Sequence, residues 1–182
     1  HTSGYRLLAD LMNEKAVTSL LQAKRRMRHA PSLVFLDSAD RYHDLAEDFG
    51  RNARRLTDAF WPGPLTLLVR PNKQLPRKVI KALTKANKHL GIRVPSSPLI
   101  RHLVSELKRP VVASSANRER RPGESSAAQV RRTFGQQVAA MVDAGDLQKS
   151  APSTVIQVND DMLKLVRPGA IEAGDIRSVL AA

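Results

Sequence analysis

At 182 residues the chain is long enough for one domain with a substantial core, and a hydrophobic content of 42% excludes a disordered polymer. No apolar run approaches the length of a membrane span, and the absence of cysteine excludes disulfides and thiolate metal sites. The formal net charge of +13 points to polyanionic partners, whereas an aromatic content of 4% argues against a module that stacks unpaired bases.

Asp10 or Asn13 can cap a first helix running to about Met27, with Ala16, Val17, Leu20 and Leu21 on its buried face. Ser32 to Leu36 reads as a short apolar strand. Ser38 or Asp40 opens a second helical region, in which Leu56, Ala59 and Phe60 carry the periodicity towards Trp61. Pro62-Gly63-Pro64 breaks the chain before a strand over Leu65–Val69. Pro76 to Ala86 is basic and helical or irregular.

Leu90 to Val94 reads as a strand ended by Pro95. Pro98 to Leu107 reads as a helix with Leu99, Leu103, Val104 and Leu107 inward. After the Val111 strand, the polar stretch from Arg118 to Glu124 reads as a loop, and Ser125 or Ser126 begins a helix to about Phe134. Strands are expected at Val138–Val142, Thr154–Val158 and Met162–Val166, then a last helix from about Gly174. Strands interleaved with helices predict an α/β fold, a sheet covered by helices, in a single domain over 1–182.

The chemistry-bearing residues are cations, hydroxyls and amides. Pro110-Val111-Val112-Ala113-Ser114-Ser115-Ala116-Asn117 is an apolar strand ending abruptly in two hydroxyls and a carboxamide. Such a strand end suits a ligand at the sheet edge, although Ser and Asn also favour plain turns. Lys24-Arg25-Arg26-Met27-Arg28-His29 crowds cations at the end of the first helix, as a phosphate clamp or as solvated charges complementing the helix dipole. Arg93 stands in the apolar strand Gly91-Ile92-Arg93-Val94, where it needs an internal carboxylate or an anionic ligand. Arg167-Pro168-Gly169 repeats that device, and Pro152-Ser153-Thr154 sets hydroxyls at the start of another strand.

The sequence contains no Walker loop, no Gly-x-Gly-x-x-Gly, no paired-His metal motif and no Gly-x-Ser-x-Gly elbow. A hydrolase triad is therefore not expected. The residue types suit holding anions better than abstracting protons.

In this order, Lys24-x-Arg26, Phe60-Trp61-Pro62-Gly63-Pro64-Leu65-Thr66, Gly91-Ile92-Arg93-Val94-Pro95, Ser114-Ser115-Ala116-Asn117, Pro152-Ser153-Thr154 and Arg167-Pro168-Gly169 resemble the YrdC-type family of L-threonylcarbamoyladenylate synthases. The resemblance implies a twisted, open, mixed sheet covered by helices, with a basic concave face. It implies condensation of L-threonine, bicarbonate and ATP into threonylcarbamoyl-AMP and diphosphate, with Mg2+. A partner enzyme then moves the threonylcarbamoyl group to tRNA. Members of the family also tend to bind tRNA or double-stranded RNA.

By the same resemblance, Lys24 and Arg26 hold phosphates and the carbamate, while Arg93 fixes the threonine carboxylate. Ser114, Ser115 and Asn117 contact threonine and nucleotide, and Ser153 and Arg167 complete the nucleotide side. No residue is assigned a proton-transfer role. Where the family has Thr-Asp-Thr-x-Tyr-Gly-Leu, this chain has His1-Thr2-Ser3-Gly4-Tyr5-Arg6-Leu7, so Ser3 supplies a hydroxyl on the threonine side and Arg6 stands in place of Gly. A strand is expected upstream of His1. Arg118-Glu119-Arg120 replaces the usual Leu-Ser-Gly, and Ser32 the usual Leu.

The alternative is a YrdC-like RNA-binding protein with weak or no synthase activity. In that reading Arg25, Arg28, Arg51, Arg54, Arg55, Lys78 and Lys81 form the RNA-facing surface. Either reading is of a cytoplasmic protein with no membrane partner.

Overall fold

A computed structural model describes residues 4–24, 33–47, 49–84, 88–117, 124–148 and 150–182. Its elements run β1 (Arg6–Asp10), α1 (Glu14–Ala23), β2 (Leu33–Phe35), α2 (Arg51–Phe60), β3 (Leu65–Val69), α3 (Arg77–Leu83) and β4 (Leu90–Arg93). Then follow α4 (Pro98–Leu107), β5 (Val111–Ser115), α5 (Ala127–Phe134), β6 (Thr154–Asn159), β7 (Met162–Arg167) and α6 (Ala173–Ala181). The strands form one seven-stranded sheet in the order β1-β5-β2-β4-β3-β6-β7. β2 pairs parallel with β4 and β3 parallel with β6, and the remaining neighbours are antiparallel. The fold is therefore the expected mixed, helix-covered sheet.

Strand alternation divides the sheet into two faces. Leu7, Val112, Val34, Ile92, Leu67 and Ile156 share one face by register, and all belong to the main core with Val17 and Leu20 of α1 and Ala53 and Leu56 of α2. On the other face, Phe35, Val111 and Ala113 pack on Val104 and Ile100 of α4. That same face carries Arg6, Ser115, Arg93 and Thr66, because Arg6 opposes Ser115 and Phe35 opposes Arg93, while Leu67 opposite Ile92 sets Thr66 beside Arg93.

Three expectations are corrected, and one strand is added. Val138–Val142 forms no strand: the sheet ends at β1 and β7, and Val138 and Met141 instead pack on the core from an irregular segment. Leu99 and Leu107 of α4 are exposed, since this helix covers only a small patch and turns just Ile100 and Val104 onto it. Ser38 precedes a 3-10 turn over Ala39–Asp44, which is separate from α2. β1 is an addition: Leu7 and Ala9 are buried with Leu8 exposed between them. The cap of α1 is Asn13, whose side chain accepts from the Ala16 amide, and the helix ends at Lys24; the expected continuation to Met27 lies outside the described residues.

Candidate functional site

The Trp61-Pro62-Gly63-Pro64 turn exists to aim Arg93. Its Trp61 indole donates to Leu65 O at 2.8 Å, and Gly63 N donates to Val94 O at 3.0 Å, fixing the turn against the end of β4. Arg93 Nε then donates to Gly63 O at 2.7 Å. A side chain at Gly63 would meet Phe60 O at 2.2 Å, so the turn closes only on glycine. Arg93 is 5% exposed, and its guanidinium is lowered to about 10, first by burial and then by the charges of Arg6 and Arg167.

Arg167 reaches the same region from β7. A register shift between Val155 and Ile156 sets it opposite Val155, and its Nη2 donates to Ser153 O at 2.8 Å and Ser153 Oγ at 3.2 Å. Ser153 Oγ shares a 2.8 Å hydrogen bond with Thr66 Oγ1. The turn after Arg167 packs on the strand start: a Cβ on Gly169 would lie 2.5 Å from Pro152 O and Thr154 N, and Ala170 N donates to Pro152 O at 2.9 Å. Thr154 Oγ1 clasps Ile171 from both sides, accepting from its amide at 2.9 Å and donating to its carbonyl at 3.0 Å. The Pro152-Ser153-Thr154 and Arg167-Pro168-Gly169 motifs are thus two halves of one clasp.

At the end of β5, Lys24 Nζ donates to Ser115 O at 2.6 Å, Asn117 O at 2.7 Å and Asn117 Oδ1 at 2.8 Å. Three close acceptors match the three N–H bonds of an ammonium. Lys24 therefore braces the strand exit, where an outstretched phosphate ligand was expected. Ser115 Oγ donates to Asn117 Oδ1, completing a polar corner at the α1 and β5 ends. Arg6 sits across from Ser115 on β1, and its guanidinium is lowered by burial and by the charge of Arg167. Arg167 is lowered by burial alone.

The structure therefore brings Arg93, Ser153 and Arg167 together and sets Lys24, Ser115 and Asn117 in a second cluster. Ser114 opposes Leu7 and lies with it on the core side, the opposite face from Ser115 and Arg93. Ser3 and Arg26 lie outside the described residues. Thr66, Gly63 and Arg6 are additions. Thr66 could have been found as the lone hydroxyl of an apolar strand, whereas the roles of the Gly63 carbonyl and Arg6 depend on folding distant segments together.

Comparison with known proteins places this arrangement. The model of the Sua5/YciO/YrdC family, described as telomere recombination, matches residues 2–169. The chain belongs to the Sua5/YciO/YrdC family. It is 30% identical to the threonylcarbamoyl-AMP synthase of Pyrococcus abyssi over 97% of this chain and 51% of that protein. It is 33% identical to a putative threonylcarbamoyl-AMP synthase of Mycobacterium tuberculosis, over 97% of this chain and 79% of that one. The crystal structure of P. abyssi Sua5 complexed with L-threonine superposes with a TM-score of 0.87 at 29% identity, covering 98% of this chain and 51% of that one. The chain thus spans about half the length of the Pyrococcus relative.

Proposed function

We propose that this protein is a threonylcarbamoyl-AMP synthase that condenses L-threonine, bicarbonate or carbon dioxide, and ATP into threonylcarbamoyl-AMP and diphosphate for tRNA modification. The observation that carries the reading is the convergence of Arg93 and Arg167 with the hydroxyls of Ser153 and Thr66, beside a lysine-braced strand end. The relatives' names and the threonine complex of P. abyssi Sua5 support the substrate class.

In this reading the threonine amine adds to carbon dioxide and loses a proton, giving a carbamate. A carbamate oxygen then bonds to the α-phosphorus while the bond from that phosphorus to the bridging oxygen breaks, and diphosphate leaves with that electron pair. Nothing in such a step requires a covalent enzyme intermediate. Alignment and neutralisation of charge supply the rate. Arg93 holds the amino acid carboxylate, and Arg167 with Ser153 holds the nucleotide. Lys24 keeps Ser115 and Asn117 in place and adds one positive charge.

The site's donors are guanidiniums, an ammonium and hydroxyls, a set that does not make a divalent-cation cage. Among the described residues no group of His, Cys, Asp or Glu could hold a metal. Magnesium would accordingly enter on the phosphates of ATP as part of the substrate.

The test is diphosphate release from ATP with bicarbonate, in the presence and absence of threonine. Threonine-dependent release supports the synthase. Its absence would favour the second reading, a YrdC-like RNA-binding protein with weak or no synthase activity, which the net charge of +13 and the altered first motif, His1 to Leu7, favour. Among the described residues no helix is long and apolar enough to cross a membrane.

A further inference from the structure

Pro62-Gly63-Pro64-Leu65-Thr66 carries one hydroxyl into an otherwise apolar strand, and the proposed reaction gives Thr66 no task of its own. β3 is buried along its whole length, and Thr66 is 5% exposed. A hydroxyl at such a place is costly unless it is hydrogen-bonded. Its partner is Ser153 Oγ, 2.8 Å away, in a pair where either oxygen could donate.

The protons of this pair can be counted. Two hydroxyls bring two protons and four lone pairs. Arg167 Nη2 can only donate, and at 3.2 Å it occupies one lone pair of Ser153 Oγ. The bond between the hydroxyls uses one proton and one further lone pair. The neighbouring Thr154 hydroxyl is already engaged on both sides by Ile171. One proton of the pair is therefore left over, and among the described residues nothing accepts it.

The direction of the Thr66–Ser153 bond decides where that proton sits. Arg167 touches Ser153 Oγ directly, so an anion drawn to Arg167 arrives beside Ser153. Thr66 shares a sheet face with Arg93 but stands one strand further into the sheet from β7. The spare proton meets an acceptor when Ser153 carries it, and Ser153 carries it when Thr66 is the donor.

We infer that Thr66 is a positioning residue: its hydroxyl donates to Ser153 Oγ and thereby turns the Ser153 proton out to an oxyanion held by Arg167. Under the proposed synthase function, on which this assignment rests, that oxyanion is a phosphate of ATP. Ser153 then accepts from two donors and gives its single proton to the ligand, and each bond strengthens the next.

The experiment is calorimetric titration of the full chain with ATP and with L-threonine, each alone so that no turnover occurs. The variants are Thr66→Val, Thr66→Ser, Ser153→Ala and the Thr66→Val/Ser153→Ala double. Thr66→Val keeps the shape of threonine and removes only its hydroxyl. It should weaken ATP binding by about three- to tenfold, the worth of one hydrogen bond, and leave threonine binding as in the parent. Thr66→Ser should restore ATP binding. A packing role ranks the two variants the other way, because valine fills the site and serine leaves a gap. In the Ser153→Ala background Thr66→Val should cost nothing further, since Thr66 acts through Ser153.

Parent-like ATP affinity of Thr66→Val, no recovery in Thr66→Ser, or additive losses in the double variant would each overturn the inference. So would an equal loss for threonine, or a parent that binds no ATP. Should Thr66→Val fail to fold, Thr66→Ala is titrated in its place and read by the same outcomes. Failure of threonine-dependent diphosphate release, with ATP bound in the expected pattern, would sink the synthase and leave Thr66 in its role.

Discussion

Arg93 shows what the site asks of a single residue. Its hydrogen bond to Gly63 O fixes the base of the guanidinium, while burial and two like charges lower it to about 10. At neutral pH it is still a cation, ready for an anion. An oxyanion bound there should keep its affinity up to about pH 9 and lose it as pH passes the lowered value. Titration of diphosphate binding across this range checks the point, and an undiminished affinity well above that value would contradict it. The ligand-free protein should respond with the opposite sign. Between the lowered value and the ordinary guanidinium value the unfolded chain keeps a proton that the folded chain has shed, so this group's contribution to stability rises with pH in that window. Replacement Arg93→Ala should reduce threonine-dependent turnover by about a hundredfold or more, the worth of two charge-assisted hydrogen bonds. Unchanged kinetics would remove Arg93 from the proposed site. Arg93 was legible in the sequence because one cation in an apolar strand must be accounted for. The bracing role of Lys24 was not, since its partners lie 91 and 93 residues away and only the fold reveals them.

The clasp between the β6 start and the β7 end is the element that positions Arg167. Gly169 lies against backbone atoms of Pro152, Ser153 and Thr154, where a methyl group would sit 2.5 Å from each. Backbone cannot yield as a flexible side chain can. Gly169→Ala should therefore destabilise the protein by about 1–3 kcal/mol and weaken nucleotide binding by moving Arg167 off Ser153. Chemical denaturation and ATP titration report the two effects, and a variant with parent stability would show that the turn tolerates displacement. The central strands were legible in advance because β3, β4 and β5 are buried almost throughout, so apolar residues dominate them and the polar Thr66, Arg93 and Ser115 stand out. β1 was not, because its five residues mix two charges with an alternating pattern too short to stand out beside the motif that precedes it. Val138–Val142 misled for the converse reason. It has the composition of a strand, but its Val138 and Met141 reach the core from an irregular segment outside the sheet. The inward face of α4 was overcounted because helical periodicity shows which residues are apolar, not how much sheet awaits them.

At the scale of the whole molecule, the net charge of +13 must be divided between cations that build the fold and cations that face solvent. Arg54 belongs to the first group, since it donates to the Tyr42 hydroxyl at 2.6 Å and lies over the Tyr42 ring. Arg55 does too, donating to Leu180 O of α6 at 3.0 Å. Arg25 and Arg28 lie outside the described residues, and Lys78 forms an exposed ion pair with Glu14. Arg51 and Lys81 are exposed, and they remain the better candidates for contacting an RNA backbone. If RNA binds through its phosphates, log affinity for a duplex RNA should fall linearly with log salt, each cation engaged contributing just under one unit of slope for a duplex. Lys81→Ala should then weaken binding evenly across RNA sequences and flatten that slope. Arg55→Ala should instead lower the unfolding midpoint, because Leu180 O loses its donor, and leave the slope as it was. Fluorescence anisotropy over about 50 to 200 mM salt separates these outcomes, and an affinity that holds steady across that range would exclude a phosphate-led interface.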